Sequence, residues 1–345
     1  MDKDANIRGL GDVGNFLRKF LAKENTGYEA LEEEFQDLLL KAEVENPWFT
    51  QENIRYALRS FGEVLQEDEI RHWVGKYPFA SSQKKVGVIL AGNIPLVGFH
   101  DLICVILSGH IPLIKLSSKD RLIIPFLMKL WSRFTPGEIV YHIVEKLQNH
   151  DAVIATGSNN TARYLEFYFK DCLSLIRKNR TSIAVLTGDE DDKQLQLLGR
   201  DIFQYFGLGC RNVTRLFIPH NFQLERLFKN FMHFKDVIHH HKYANNYDYH
   251  RAVYLLNQEP FWDNDFMILR ENEELFSPLS VINFSRYSHL TEVEVFVNKH
   301  QQAIQGVVGG GNLGPLSCIL FGEAQSPALD VYADNVDTME FLSVV

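Results

Sequence analysis

The chain has 345 residues, a length that suits two domains of about 150 residues each. Hydrophobic residues make up 46% and charged residues 23%, which supplies a sizeable core and argues against a disordered chain. The net charge of −9 comes without a basic block, and the four cysteines form no Cys-x-x-Cys pair, which argues against nucleic acid as the main ligand, a disulfide framework and a zinc site.

The first ten residues are charged and lack an apolar core, so no signal peptide is expected, and unpaired thiols fit a reducing, cytoplasmic setting. Helices are expected up to about residue 80. Leu10, Val13, Phe16, Leu17, Phe20 and Leu21 recur at helical spacing, as do Leu31, Phe35, Leu38 and Leu39. Asn46-Pro47 breaks the run, and Thr50 is placed to cap a helix reading TQENIRYALRSFGEVL.

From Lys85 the texture changes. A membrane span over Val86–Leu116 would bury Asn93, His100, Asp101 and His110, so this stretch reads instead as strand, turn, helix, turn, strand. Strands are expected at 86–90, 112–116, 152–155 and 182–186, with helices at Leu96–Ser108, Arg121–Phe134 and Thr161–Ile176 between them. This alternation predicts a parallel, doubly wound sheet that binds ligands at the carboxyl ends of its strands. Those ends read Gly92-Asn93, Ser117-Ser118, Gly157-Ser158 and Gly188-Asp189. No Gly-x-Gly-x-x-Gly follows the first strand. Gly157-Ser158 before a helix offers N–H groups to a phosphate, and reads equally as a plain strand-to-helix turn.

The stretch FQYFGLGCRNVTRLFIP (203–219) runs from an apolar helix through two glycines to Cys210 and then into a strand. A thiol at such a turn can face a cleft, or be a small buried hydrophobe. Beyond it, His239-His240-His241 cannot converge on one metal ion from a helix or a strand, so no metal is expected. Tyr243–Arg251 admits a subunit contact or a substrate mouth. Residues 274–281 read as a turn into a strand, and Gly306–Gly314 as a loop.

Taken in order, three of these pieces resemble the aldehyde dehydrogenase superfamily. AGNIPLVGF with SGHIPLIKLSSKD resembles that family's Asn-x-Pro segment and its Lys-Pro-Ser-Glu strand end. The GLGC turn resembles its nucleophile loop, and ELFSPLSVI its Glu-x-Phe-Gly-Pro strand. The resemblance spans about Lys85 to Leu329. Within the superfamily, VGVILAGNIPLVGFHDLICVILSGH and FGEAQSPALD are similar to the LuxC-type long-chain acyl-CoA reductases.

The resemblance implies an α/β, aldehyde dehydrogenase-like fold. It has a doubly wound parallel-sheet cofactor domain behind a helical N-terminal region (1–206), a second α/β catalytic domain (207–326) and a C-terminal tail (327–345). It implies that Cys210 is the nucleophile and that Asn93, with the Cys210 N–H, stabilises the oxyanion. It assigns Lys115 to the adenosine ribose, Gly157 and Ser158 to the pyrophosphate, and Glu274 to the nicotinamide ribose. It implies a homo-oligomer acting on an acyl-CoA or acyl carrier protein thioester.

Two departures sharpen this. The stretch Leu175–Arg180 carries no carboxylate where hydrolytic members keep a general base, which suits a reductase that must not lose its acyl group to water. Ser118 stands where NAD-preferring members carry an acid, and Lys119 adds positive charge, so NADPH is the expected cofactor. The expected reaction is reduction of a fatty acyl thioester to an aldehyde. The alternatives are reduction of an acyl phosphate, another aldehyde dehydrogenase-like oxidoreductase activity, or a non-catalytic binding or scaffold protein that keeps the fold.

Overall fold

The computed structural model describes residues 2–345, apart from the Asn159 side chain. The chain's contacts divide it into two compact units, one running up to Asn179 and rejoined by Pro327–Val345, the other Arg180–Ser326.

The first unit opens with four helices: α1 (Lys3–Ala22), α2 (Glu29–Glu45), α3 (Gln51–Val64) and α4 (Glu67–Val74). The apolar stripe of α1 is buried, and the Trp131 Nε1–H donates to the Asn6 carbonyl at 3.0 Å. Thr50 caps α3 as expected, accepting from the Asn53 N–H at 3.3 Å. There follow β1 (Lys85–Ile89), α5 (Phe99–Leu107), β2 (Ile111–Lys115), α6 (Ile123–Phe134), β3 (His142–Ile143), β4 (Ala152–Thr156), α7 (Asn159–Tyr168) and β5 (Leu173–Arg177). The five strands form one parallel sheet in the order β3-β2-β1-β4-β5. Strand order reverses at β1/β4, the place where such sheets open a crevice for a ligand.

The second unit contains β6 (Thr181–Val185), α8 (Asp192–Phe203), β7 (Val213–Pro219), α9 (Glu225–Phe231), α10 (His241–Leu256), β8 (Trp262–Asp263), β9 (Ile268–Glu271), β10 (Val281–Tyr287), α11 (Leu290–His300), β11 (Ile304–Gly309) and β12 (Ile319–Leu320). Its seven-stranded sheet has the order β12-β11-β6-β7-β10-β9-β8, and only β8 runs antiparallel. Both faces are covered. Ala184 and Leu186 point into one apolar cluster, Ile183 and Val185 into the other, as the two-residue period of a strand requires. The chain then returns to the first unit, ending in α12 (Thr338–Ser343), where Leu342 accepts from His110 Nε2 through its carbonyl at 3.1 Å.

Three expectations are corrected. The strand at 182–186 is β6 of the second sheet, paired with β7 and β11. Its expected place in the first sheet is taken by β5, cut from what read as the end of the Thr161–Ile176 helix. Gly306–Gly309 lies in β11, and only the residues after it form a loop. Apart from these, the chain's contacts divide at 179/180, and the sequence reading draws its domain line at 206/207, before the Cys210 turn. The 327–345 segment belongs by its contacts to the first unit. Among the described residues no helix is long and apolar enough to cross a membrane.

Candidate active site

Cys210 lies in a tight turn between α8 and β7, half-buried. The backbone leading into it has three consecutive left-handed residues, Tyr205 (φ 55°), Phe206 (φ 57°) and Gly207 (φ 79°). For the two aromatic residues this conformation costs about 1–2 kcal/mol each, so something must hold it. Asn212 is fully buried. Its Nδ2 group donates to the carbonyls of Asp201 (3.0 Å), Ile202 (3.2 Å) and Gln204 (2.8 Å), and its Oδ1 accepts from the Gly209 N–H at 2.8 Å. It thus satisfies carbonyls left open at the end of α8 and fixes the residue before Cys210. The Phe206 ring packs 4.5 Å from that of His240 and 6.2 Å from that of Tyr243, so α10 backs the turn. Tyr243 and Tyr247 are buried, and Arg251 Nε binds Asp263 at 2.8 Å, which gives that polar-aromatic stretch a supporting role within its unit.

The segment carrying Glu274 enters β10 alongside. Because β7 and β10 are parallel neighbours, the Cys210 turn and residues 277–280, which lead into β10, lie at the same, amino-terminal end of the sheet. Ser277 Oγ donates to the Thr214 carbonyl at 3.0 Å, and a Cβ on Gly207 would lie 3.8 Å from Leu279 Cδ1. The Glu274 side chain is exposed, while its carbonyl accepts from Arg215 at 2.8 Å and from Asn283 at 3.1 Å.

In the first unit Asn93 is exposed in the turn between β1 and α5. On one side of it the Gly92 carbonyl accepts from Asn46 Nδ2 at 3.4 Å, and on the other the Leu96 N–H donates to Asp120 Oδ2 at 3.3 Å. Leu96 is itself left-handed (φ 65°). Asp120 is 4% exposed, and burial pushes its carboxyl up to about 6. Gly92 has no room for a side chain, since a Cβ would sit 2.6 Å from Ser117 Oγ. Lys115 ends β2 and donates to the Glu145 carbonyl at 2.8 Å. Ser118 and Lys119 are exposed in the turn closed by the Ser117–Asp120 bridge. Gly157 follows β4, and Ser158 caps α7, its Oγ accepting from the Thr161 N–H at 3.3 Å.

The first sheet therefore carries Asn93, Lys115, Ser118, Gly157 and Ser158 at the carboxyl ends of β1, β2 and β4, and the second carries Cys210 and Glu274. The sequence reading did not find Asn212, Arg215, Asn283, Asp120 or Asn46, the residues that hold these turns. One signal was present: a cation in the middle of the apolar run VTRLFIP. In Leu175–Arg180, which carries no carboxylate, Arg177 is buried, paired with Asp101 at 2.7 Å, and donates to Thr338 Oγ1 at 2.8 Å. Cys104 is fully buried, and burial pushes its thiol well up. Cys318 is half-buried and donates to the Gly311 carbonyl at 2.7 Å. Among the described residues no cluster of three His, Cys, Asp or Glu could hold a metal ion.

Solved structures share this fold. The indole-3-acetaldehyde dehydrogenase AldA of P. syringae, in complex with NAD+ and IAA, matches with a TM-score of 0.60 at 12% identity, over 90% of this chain and 72% of its own. Aldehyde dehydrogenase 21 of Physcomitrella patens, in complex with the product succinate, matches with a TM-score of 0.60 at 12% identity, over 97% of this chain and 84% of its own. This chain has the aldehyde dehydrogenase fold. The NAD-dependent aldehyde dehydrogenase of Sinorhizobium meliloti gives a TM-score of 0.62 at 12% identity, over 90% of this chain and 70% of its own. No family model and no curated protein matches the sequence. The expected doubly wound parallel sheet, second α/β unit and helical N-terminal region of an aldehyde dehydrogenase are all present.

Proposed function

We propose that the protein reduces a fatty acyl thioester, acyl-CoA or its acyl carrier protein equivalent, to the aldehyde with NADPH, through an acyl-enzyme on Cys210. The observation that carries this reading is the Cys210 turn. A strained backbone held by a buried amide that only caps and positions is a costly way to bury a small thiol, and a useful way to present a nucleophile. The aldehyde dehydrogenase fold supports the class of chemistry. The LuxC-like segments and the absence of a carboxylate in Leu175–Arg180 support the thioester reductase within it.

The residues present fit a nicotinamide dinucleotide. Gly157-Ser158 stands at the reversal of strand order with the first turn of α7 behind it, which suits a pyrophosphate, and Glu274 offers an exposed carboxylate to a ribose. Exposed Ser118 and Lys119 suit a 2′-phosphate. When bound, the cofactor supplies hydride to the acyl carbon.

The chain's own part is as follows. The Cys210 thiolate attacks the thioester carbonyl carbon, with Arg211 beside it lending positive charge. The Asn93 amide and the Cys210 N–H hold the negative charge on the carbonyl oxygen, worth about 3 kcal/mol per donor. The carbon–sulfur bond to CoA breaks, CoA leaves as thiol after gaining a proton, and the acyl group stays on Cys210. After reduction, the carbon–Sγ bond breaks, Cys210 is the leaving group, and the aldehyde is released. A reduced Cys210 is required throughout, which suits a cytoplasmic enzyme.

Intact mass of the protein mixed with a panel of acyl-CoAs, without nucleotide, tests this. An acyl adduct that is absent in Cys210→Ala and disappears on adding NADPH is the expected result. No adduct from any acyl-CoA, while iodoacetamide still labels Cys210, overturns it.

A further inference from the structure

We infer that Arg215 is a positioning residue that ties the strand following Cys210 to the segment bearing Glu274, and thereby sets the affinity for the cofactor. This rests on the reading above that Glu274 holds the nicotinamide ribose.

Arg215 is 1% exposed in the middle of β7. Its hydrogen bonds go to two carbonyl oxygens and a hydroxyl. NH1 donates to the carbonyls of Asn272 (2.7 Å) and Glu274 (2.8 Å), and NH2 to Ser285 Oγ. The guanidinium carbon lies 4.8 Å from the ring centroid of Phe217 and 4.5 Å from that of Phe296. Burial pulls the group down to about 10, with Glu273 opposing. Burying a cation without a hydrogen-bonded carboxylate is unfavourable, and an apolar residue would pack this site more simply. What the guanidinium provides is geometry. A flat fork can lie against two rings while its two ends reach three oxygens, and an ammonium cannot.

Two of those oxygens, the carbonyls of Asn272 and Glu274, belong to the segment that needs holding, and the third, Ser285 Oγ, lies in β10. Between β9 and β10 the carbonyls of Asn272, Glu274, Leu275 and Phe276 accept from side chains of the flanking strands: Arg215, Thr214 and Asn283. The Glu274 N–H donates to Asn272 Oδ1 at 2.6 Å. The exposed carboxylate of Glu274 thus projects from a backbone pinned to the interior by Arg215. A ribose-binding carboxylate works only if its place is fixed before the ligand arrives.

The test is a double-mutant cycle read by equilibrium binding of NADPH, with Cys210 acylation by acyl-CoA measured in parallel without nucleotide. Arg215→Lys is expected to weaken NADPH binding about tenfold, which corresponds to 1.4 kcal/mol. Glu274→Ala is expected to weaken it at least as much, and the double variant no further. Cys210 acylation in each variant serves as the check that the fold is intact. If Glu274→Ala binds NADPH normally, the assignment of Glu274 to the ribose fails. If Glu274→Ala weakens binding but Arg215→Lys adds its full effect in that background, or leaves binding unchanged alone, the positioning role is overturned. Should Arg215→Lys not fold, Ser285→Ala takes its place in the cycle. It removes the hydroxyl that receives the second end of the fork and that itself donates to the Asn272 carbonyl at 3.3 Å, and the same outcomes decide.

Discussion

The turn bearing Cys210 and the turn bearing Asn93 both contain left-handed backbone bound by buried polar side chains, Asn212 in the first and Asn46 with Asp120 in the second, and Asn212 and Asp120 differ in kind. Asn212 is a neutral amide whose four hydrogen bonds do not depend on pH. Asp120 is a carboxyl whose burial brings its titration up to about 6. The anchor of the Cys210 turn therefore carries no charge that changes with pH. The turn proposed to stabilise the oxyanion sits on an anchor that changes charge near neutrality. Varying the two anchors one at a time tests separately the roles proposed for Cys210 and for Asn93.

The largest effect is expected at the amide. Asn212→Ala leaves the carbonyls of Asp201, Ile202 and Gln204 and the Gly209 N–H without this partner, and removes what opposes the strain at Tyr205 and Phe206. At about 1–3 kcal/mol for each buried group left unpaired, and allowing for relaxation, a loss of about 3–4 kcal/mol is expected in denaturant unfolding. Acylation of Cys210 should fall with it. A variant that unfolds like the parent and acylates normally would mean that the turn is held from elsewhere, and the contrast between the two anchors would collapse.

The comparison also shows which parts of the molecule a sequence exposes. β1, α5, β2, α6 and β4 follow from their apolar runs and the polar residues that end them, and the Cys210 turn follows from its two glycines. β5 does not, because Cys172, Leu173, Leu175 and Ile176 satisfy a helical spacing and a strand spacing equally, and the strand is only partly buried. The sheet to which β6 belongs is a tertiary choice that no local pattern encodes. Gly306 reads as loop, yet it lies in β11, where a Cβ would come within 2.8 Å of Ile319 Cδ1 on the neighbouring β12. The anchors were missed for one reason. Asn46, Asp120, Asn212 and Asn283 belong to types that normally face water, and nothing local marks the ones that turn inward to meet backbone carbonyls and amides.

The carboxyl anchor gives the next largest effect, and it has a definite sign. Asp120 binds its proton more tightly in the folded protein, where it titrates near 6, than in the unfolded chain near 3.8. Its contribution to stability is therefore present at low pH and lost as pH rises from about 4 through about 6. Over that window the difference amounts to at most about 3 kcal/mol. Asp120→Asn keeps an acceptor for the Leu96 N–H and cannot ionise. Relative to the parent, this variant should gain about 2 kcal/mol in stability between pH 4.5 and pH 7.5, measured by urea unfolding at both. A constant difference at the two pH values would show that the Asp120 carboxyl titrates normally, and the two anchors would then be alike.

The smallest effect tests what the Asn93 side of the molecule faces. The backbone around Lys119 is fixed independently of its side chain: its carbonyl accepts from Asn46 Nδ2 at 3.3 Å and its N–H donates to Ser117 Oγ at 3.2 Å. The side chain is exposed, so reversing its charge should leave the turn and the stability as they are. Lys119→Glu places a carboxylate one residue after Ser118, where it would repel a 2′-phosphate. A single exposed charge pair is worth up to about 1 kcal/mol, so reversal should lower kcat/KM with NADPH about fivefold to tenfold and leave that with NADH nearly unchanged. An equal fall with both cofactors would implicate the turn's shape. No change with either would place the 2′-phosphate away from Ser118 and Lys119, and leave Gly157, Ser158 and Glu274 as the cofactor contacts to pursue.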